Sequence, residues 1–448
     1  MEGIEWVNSL TNYERRMPGK YTGKAFSTDR YKELLSRLGS PERIGIPTVQ
    51  ILGTDGKGST LALLESFLLE CGRRVSSFIS PHLVDLEERF RVDGRDIPRD
   101  LLDRALLEVR HRAMDLADLT FFEALNAAFW CSARNDPPHF VLLETGLGGR
   151  LDTTTICEPT LKILTRLERD HIGLLGRTMN RIADEKILAL VPGVPTVISP
   201  QARFLRPYLK RHLDEHKIPA VWAGEDAESE ILNRSVSGWS VRVGGPAVEP
   251  GEFLLGLLGD HQAENLLAAL LALHLLGLQL PPIERYRSVN PRWWGRCQVA
   301  EYRSGFSAVL DGSHTPMGGQ ALRRFLDQVD PWGAPRTFAF SCARERFPWC
   351  YLRGLVRPKD RLVLVDWEYF RLWKAQELRE ALLAERWTDF ETPELEILPA
   401  SDVFRCSARA GRPWIHCGSF YWVGRVLKEF TPMSSTTPVR SNPFMEGV

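Results

Sequence analysis

Residues Thr48–Leu52 (TVQIL) form a short β-rich run, and a glycine-rich turn follows at once: Gly53, Thr54, Asp55, Gly56, Lys57, Gly58, Ser59 and Thr60. An apolar-periodic segment, Thr60 to Cys71, comes next, with Gly72 placed to end it as a helix. Strand, turn and helix in this order constrain the chain more than any other feature. Glycines let successive backbone N–H groups turn toward one point, and the helix N-terminus adds partial positive charge. Lys57 is spaced to reach terminal phosphates, and the hydroxyl of Ser59 or Thr60 to reach a metal ion. A plain glycine-rich turn with a solvated lysine would not need every part in sequence. The loop has two residues, not the usual four, between its first glycine and Gly56-Lys57.

The alternation continues. Arg74 to Ile79, Phe140 to Leu143, Leu161 to Thr165 and Thr196 to Ile198 read as strands, with helical patterns over Asp100 to Leu116 and Phe121 to Ala133. The sequence therefore predicts an α/β domain with a mostly parallel sheet. Ser235 to Phe253 changes to a Gly/Ser/Val-rich hairpin pattern, followed by a long helix over Gln262 to Leu276. Leu278 to Arg296 carries three prolines and two tryptophans, and marks the domain joint. The βα rhythm then restarts: Ala308 to Leu310, helix Gly319 to Val329, Thr337 to Phe340, Arg361 to Val365 and Trp414 to Cys417. With 448 residues the chain is too long for one core. The expected domains are 1–290 and 291–432, with a Ser/Thr/Pro-rich tail, 433–448, expected to be disordered.

Lysine plus arginine equals aspartate plus glutamate at 57 each, which argues against a general nucleic-acid or membrane-surface binder. The most apolar stretch, Leu266 to Leu280, contains a histidine and is too short to span a bilayer, so it reads as a buried helix. The N-terminus carries charges throughout and has no signal-type apolar core. Eight scattered cysteines, with no CxxC pair, fit a cytoplasmic protein.

Further motifs follow the loop in order: Ser80 to Leu83 (SPHL, including His82) with Glu88 and Arg89; Thr120 to Glu123 (TFFE); Glu144 to Asp152 (ETGLGGRLD). Then come Asp170 and His171 with Leu175, Gly176 and Thr178; Glu185 and Lys186; Gly259 to Gln262 (GDHQ) with Asn265. Last are Trp294 to Arg296 (WGR), Asp311 to His314 (DGSH), and Gly418 with Ser419. Together with GTDGKGST they resemble the folylpolyglutamate synthase/dihydrofolate synthase branch of the Mur ligase superfamily, from about Tyr13 to Val426.

The resemblance implies a P-loop ATPase-type parallel-sheet domain followed by a smaller Rossmann-like α/β domain. It implies ATP-dependent joining of L-glutamate to a folate or dihydropteroate acid through an acyl phosphate, by a monomer acting on small molecules. By the same resemblance Ser80, Glu144 and His171 hold Mg2+, and a carbamylated Lys186 serves a second Mg2+. Asn265 faces adenine, Arg296 the γ-phosphate, Asp311 the ribose, and His314 the nucleotide side of the domain cleft. Ser80, His82, Glu123 and Asp152 fall on the substrate side.

Each residue also has a plainer reading. Glu144 ends a buried strand, where an unpaired carboxylate is costly and a metal would explain it. His171 alone would be a satisfied core histidine, Ser80 a turn residue before Pro81, and Asp152 a cap. Glu123 could be a solvated face residue of an amphipathic helix. Four positions depart from the family: Asp55 and Thr155 stand where asparagine is usual, Thr315 follows DGSH in place of asparagine, and Cys342 to Arg346 replaces a DKD-like segment. An extra negative charge at Asp55 beside a triphosphate costs roughly a few kcal/mol before compensation. These departures motivate two alternatives: the same ligation on a non-folate acceptor or with another amine, or a catalytically weak ATP-binding regulator. A plain P-loop kinase is disfavoured by the second domain and the DGSH segment.

Overall fold

A computed structural model describes residues 2–14, 26, 28–282, 287–301, 307–329, 333–385, 387–388 and 393–429. The tail expected to be disordered lies outside the described residues. The chain divides into two compact units: Met1–Glu230, Val241–Phe253 and Asp260–Pro291 in one, and Ile231–Ser240, Leu254–Gly259 and Arg292–Val448 in the other.

The first part of the chain runs α1 (Gly3–Ser9), α2 (Thr28–Arg37), β1 (Thr48–Leu52), α3 (Lys57–Glu70), β2 (Val75–Phe78), β3 (Phe90–Val92), β4 (Arg95–Asp96), α4 (Arg99–Arg112) and α5 (Phe121–Asn135). It continues through β5 (Phe140–Glu144), β6 (Leu161–Leu164), α6 (Ile172–Leu175), α7 (Met179–Ile187), β7 (Thr196–Ile198), α8 (Arg206–Glu215), β8 (Ala220–Trp222), β9 (Glu228–Ser235), β10 (Gly238–Gly245), β11 (Val248–Leu255), α9 (His261–Leu275) and β12 (Arg287–Val289). The main sheet has the order β4-β3-β2-β5-β1-β6-β7-β8. It is parallel from β2 to β8, and only the pairings of β3, with β2 and with β4, are antiparallel. The hairpin region forms a separate sheet, β12-β11-β10-β9.

Helix α3, which follows the glycine-rich turn, starts at Lys57 behind Gly56, whose φ of +88° suits a residue without Cβ. It ends in a Schellman motif: Arg73 N–H donates to the Leu68 carbonyl and Gly72 N–H to that of Leu69, both at 2.9 Å. Helices cover both faces of the sheet, so its central strands are buried throughout and read as nearly continuous apolar runs. α3 and α9 pack together on one face. On the other, Phe78 and Leu143 join α4 and α5 in one apolar cluster, and Leu52, Leu164, Ile198 and Trp222 join α7 and α8 in another. Between the two clusters that face carries Gln50 and Lys162, which are register neighbours on β1 and β6.

The second unit holds β13 (Gln298–Glu301), β14 (Ser307–Asp311), α10 (Pro316–Val329), β15 (Thr337–Phe340), α11 (Pro348–Leu355), β16 (Arg361–Asp366), α12 (Ala375–Ala384), β17 (Leu395–Pro399), α13 (Ala400–Arg409), β18 (Trp414–Cys417) and α14 (Phe420–Glu429). Its sheet order is β13-β14-β18-β15-β16-β17, parallel except for β13. The expected mixed α/β class with parallel sheets is what the structure displays. Among the described residues no helix is long and apolar enough to cross a membrane.

Candidate active site

Ligands of open α/β sheets bind beyond the carboxyl ends of the strands, where the connections diverge to opposite sides. Here β1 is that point, with β5 and β2 on one side and β6 on the other. Gly53 leaves β1, Glu144 ends β5, Ser80 follows β2, and Thr165 to His171 follow β6. Four of the expected motifs therefore converge at one edge of one sheet.

The loop is held by the segment beyond β6. Thr54 and Asp55 N–H both donate to the Arg166 carbonyl, at 2.9 and 3.2 Å, and Thr54 Oγ1 exchanges hydrogen bonds with the Glu168 backbone. Gly56 offers no side-chain cap to α3, so the first-turn amides at Lys57, Gly58 and Ser59 lack both an intrahelical acceptor and a capping oxygen. That arrangement suits a phosphate. Lys57 Nζ donates to the Thr54 carbonyl at 3.2 Å and stands 3.9 Å from Glu144 Oε1. Thr60 is fully buried and its hydroxyl donates to Asn265 Oδ1 at 3.3 Å, so Ser59 is the better-placed hydroxyl for a metal.

Glu144 is buried, with Ser80 N–H 3.4 Å from its Oε2. Ser80 and Glu144 are thus brought together. His171 precedes α6 as its N-cap residue, in a left-handed conformation beside Asp170, whose Oδ2 lies 3.5 Å from the imidazole Nε2. Among the described residues no group of three or more His, Cys, Asp or Glu side chains gathers as a metal cage. A site with one carboxylate, one hydroxyl and one imidazole fits Mg2+, which keeps several waters and takes few protein ligands. His82 accepts a hydrogen bond at Nδ1 from Arg89 Nε at 2.8 Å, and Arg89 makes a bidentate pair with Glu14. The neutral imidazole therefore carries its proton on Nε2.

Lys186 is buried and donates to the Gly53 carbonyl at 2.7 Å. Burial, and then the positive charge of Lys57, push it down to about 7, while Asp152 and Asp55 pull the other way. An amine that is neutral near pH 7 is the form that carbamylation requires, so the residue fits that modification. The departure at Asp55 puts a compensating negative charge near this lysine.

Three expected ligands prove to be engaged within the protein. Glu123 is not on a solvated face. It is buried, closes a capping box with Thr120 and pairs with Arg30 at 2.7 Å. Asp152 accepts from the amides of Gly146, Leu147 and Thr154 and from the Thr154 hydroxyl, at 3.1, 2.9, 3.0 and 2.7 Å. That fills the four acceptor positions of a carboxylate and realises the capping alternative. Asn265 is buried beneath the loop. A Cβ on Gly56 would lie 2.5 Å from its Oδ1, and its Nδ2 donates to Gln262.

A family model for the Mur ligase middle domain matches residues 51–273. The dihydrofolate synthase/folylpolyglutamate synthase of Bacillus subtilis is 31% identical over 314 residues, covering 67% of this chain and 71% of that one. The chain belongs to the folylpolyglutamate synthase/dihydrofolate synthase family. A probable bifunctional folylpolyglutamate synthase/dihydropteroate synthase of Haloferax volcanii is 32% identical over 346 residues. That match takes in 74% of this chain but only 39% of the longer relative. Mycobacterium tuberculosis folylpolyglutamate synthase complexed with ADP aligns with a TM-score of 0.81 at 21% identity, over 95% of this chain and 97% of that one, a likeness of fold.

Within the second unit of this family member, Asp311 ends β14 and accepts from the amides of Cys297 and Ser313, at 2.8 and 3.0 Å. The Arg296 guanidinium lies 4.1 Å above the Phe420 ring, and His314 meets the same ring edge-on at 6.1 Å. A Cβ on Gly312 would fall 2.4 Å from that ring. Phe420 is therefore a common floor for Arg296 and the DGSH turn, and no sequence motif had singled it out. The family departures have structural uses. Thr315 Oγ1 accepts the Gly318 amide at the start of α10. Cys342 to Arg346 is fastened to Arg371 to Trp373 by backbone bonds of 2.9 and 3.0 Å and by an Arg371–Glu345 ion pair. Thr155 donates to the Gly149 carbonyl at 2.7 Å. Sequence reasoning also missed Gln50 and Lys162; the available signal was a polar residue inside each of two buried strands.

Proposed function

We propose that the protein is an ATP-dependent carboxylate–amine ligase that adds L-glutamate to a folate or dihydropteroate acid through an acyl phosphate. The observation that carries this reading is the convergence of an uncapped phosphate-loop helix, Lys57 and the buried Glu144–Ser80 pair at the carboxyl edge of one sheet. Lys57 and the first-turn amides of Lys57, Gly58 and Ser59 bind the phosphates and neutralise charge on the transferred phosphoryl group. Ser80, Glu144 and His171 hold Mg2+, which supplies charge neutralisation on phosphate oxygens when bound. Lys186 supports a second Mg2+ once carbamylated. Gly53 and Asn265 shape the loop. Residues 1–290 form the ATP-binding domain, and residues 291–432 the amino-acid-binding domain with Arg296, Asp311 and His314. The protein acts as a cytoplasmic monomer; its eight free cysteines fit a reducing compartment.

A non-folate acceptor is a second version of the same chemistry. It is favoured by one observation: the Asp152 carboxylate is already filled by four protein donors. The test is ADP release by the purified protein with ATP and Mg2+, across pteroates, folates and other carboxylic acids, with and without glutamate. Release requiring dihydropteroate or a folate together with glutamate is the expected result. Release with another acid would move the substrate and keep the mechanism. No acid- and amine-dependent release, despite ATP binding, would overturn the ligase reading in favour of a regulator.

A further inference from the structure

Gln50 occupies an unusual place. It lies on the central strand of the sheet, fully buried, at the seam between two apolar clusters. Its register neighbour Lys162 is equally buried. Lys162 Nζ donates to Gln50 Oε1. A lysine has only donors, so this contact fixes the amide: Oε1 faces Lys162 and Nε2 faces away. On the far side, Nε2 lies 2.9, 3.1 and 3.3 Å from the hydroxyls of Thr155, Thr154 and Thr145, and its two N–H groups serve the nearer two. Each of the first two hydroxyls passes its own proton onward. Thr154 donates to Asp152 Oδ1 at 2.7 Å, and Thr155 to the Gly149 carbonyl at 2.7 Å. Asp152 Oδ2 then receives the amides of Gly146 and Leu147. From Lys162 as far as Asp152 and the Gly149 carbonyl the donors all point the same way, and the Gly146 and Leu147 amides donate to Asp152 from the opposite side.

We propose that Lys162, Gln50, Thr154 and Thr155 form a one-directional buried relay that positions the loop following Glu144, making Gln50 and Lys162 positioning residues for the acid substrate. Its substrate half rests on the ligase reading above. The physical case has two parts. A cation and a carboxylate, each buried, are costly alone. Here two dipoles aligned head to tail join Lys162 to Asp152, and the aligned bonds polarise one another. Burial pushes Lys162 down to about 8, which leaves it charged near neutral pH. The relay also grips the loop at two places, the amides of Gly146 and Leu147 and the carbonyl of Gly149. The loop has little room to shift. A Cβ on Gly146 would lie 2.7 Å from Phe122, and one on Gly149 would lie 2.9 Å from the Glu185 carbonyl. The loop ends at Asp152, which the ligase reading puts on the substrate side, so a slackened loop displaces that side of the site, and small misplacements are costly to rate.

The relay also gives Thr155 a reason. A threonine hydroxyl can accept from Gln50 and donate to Gly149 at the same time. The residue that departs from the family pattern is therefore a link in this network.

Gln50→Glu separates the relay from general stability. It keeps the volume and hands Lys162 a carboxylate, but it removes both Nε2 donors. The expected result is a thermal midpoint equal to or above that of the parent. Amide exchange at Gly146 and Leu147 should rise by about tenfold or more, because Thr154 turns its proton toward the new carboxylate and Asp152, the acceptor of both amides, loses that charge-assisted anchor. The KM for dihydropteroate should rise severalfold with the KM for ATP unchanged. Thr155→Val, which removes the Gly149 grip and one acceptor of Gln50 Nε2 but leaves the Thr154–Asp152 arm in place, should give a smaller change of the same kind, and carries the test if Gln50→Glu does not fold. Unchanged exchange at Gly146 and Leu147, or a parallel rise in the KM for ATP, would overturn the relay. Absence of any turnover with dihydropteroate in the parent protein would count against the ligase reading, while the exchange measurement would still decide the relay.

Discussion

Replacing Lys186 by methionine should change how stability depends on pH. The native lysine is buried and titrates near 7, against 10.5 for an unperturbed side chain. Between those values the folded state binds fewer protons than the unfolded state, so stability rises with pH across the window. Below 7 both states are protonated and the dependence vanishes. At 1.36 kcal/mol per pH unit the whole window amounts to about 5 kcal/mol, and the interval from pH 7 to pH 9 to about 2 kcal/mol. Methionine keeps the apolar stem and does not titrate. It also loses the 2.7 Å bond to the Gly53 carbonyl, a pH-independent cost of about 1 kcal/mol. The assay is urea unfolding of both proteins at pH 6, 7, 8 and 9 in CO2-free buffer, which keeps the amine unmodified. The stability of the variant relative to the parent should fall by about 2 kcal/mol from pH 7 to pH 9 and stay flat between pH 6 and pH 7. A difference that is constant from pH 7 to pH 9 would refute the assignment of a near-neutral buried amine.

Two further outcomes concern the loop. Lys57→Ala should reduce ADP formation by about a thousandfold or more. Unchanged turnover would defeat the phosphate-loop assignment. Gly53→Ala places a Cβ 2.1 Å from Thr165 Oγ1 at a φ of +137°. It should cost about 2 kcal/mol or more and weaken nucleotide binding, measurable by thermal unfolding and by calorimetric titration with ADP.

The strand–loop–helix unit was legible because its parts are contiguous. Glycine positions, the lysine and the helix start are set by local backbone rules, and Gly56 and Gly72 take the conformations that those rules demand. The same holds for the α/β alternation, since periodicity is a local property. Boundaries moved by a few residues: the helix expected over Asp100 to Leu116 is Arg99–Arg112, and the strand expected over Arg74 to Ile79 is Val75–Phe78. Glu123 was harder. An amphipathic pattern does not reveal that Arg30, 93 positions away in sequence, will pair with it.

The order of motifs along the chain was enough to determine the family, the two α/β segments and the strand–loop–helix unit, because each rests on residues close in sequence. What the side chains are engaged with was decided by tertiary structure. Asp152 reads as a ligand or a cap until Gly146, Leu147 and Thr154 are seen to fill its oxygens. Gln50 and Lys162 lie 112 positions apart in sequence and meet only because β1 and β6 are neighbours in register. Hydrogen bonds and desolvation act over a few ångströms of space, and sequence separation does not report which residues the sheet will bring within that reach.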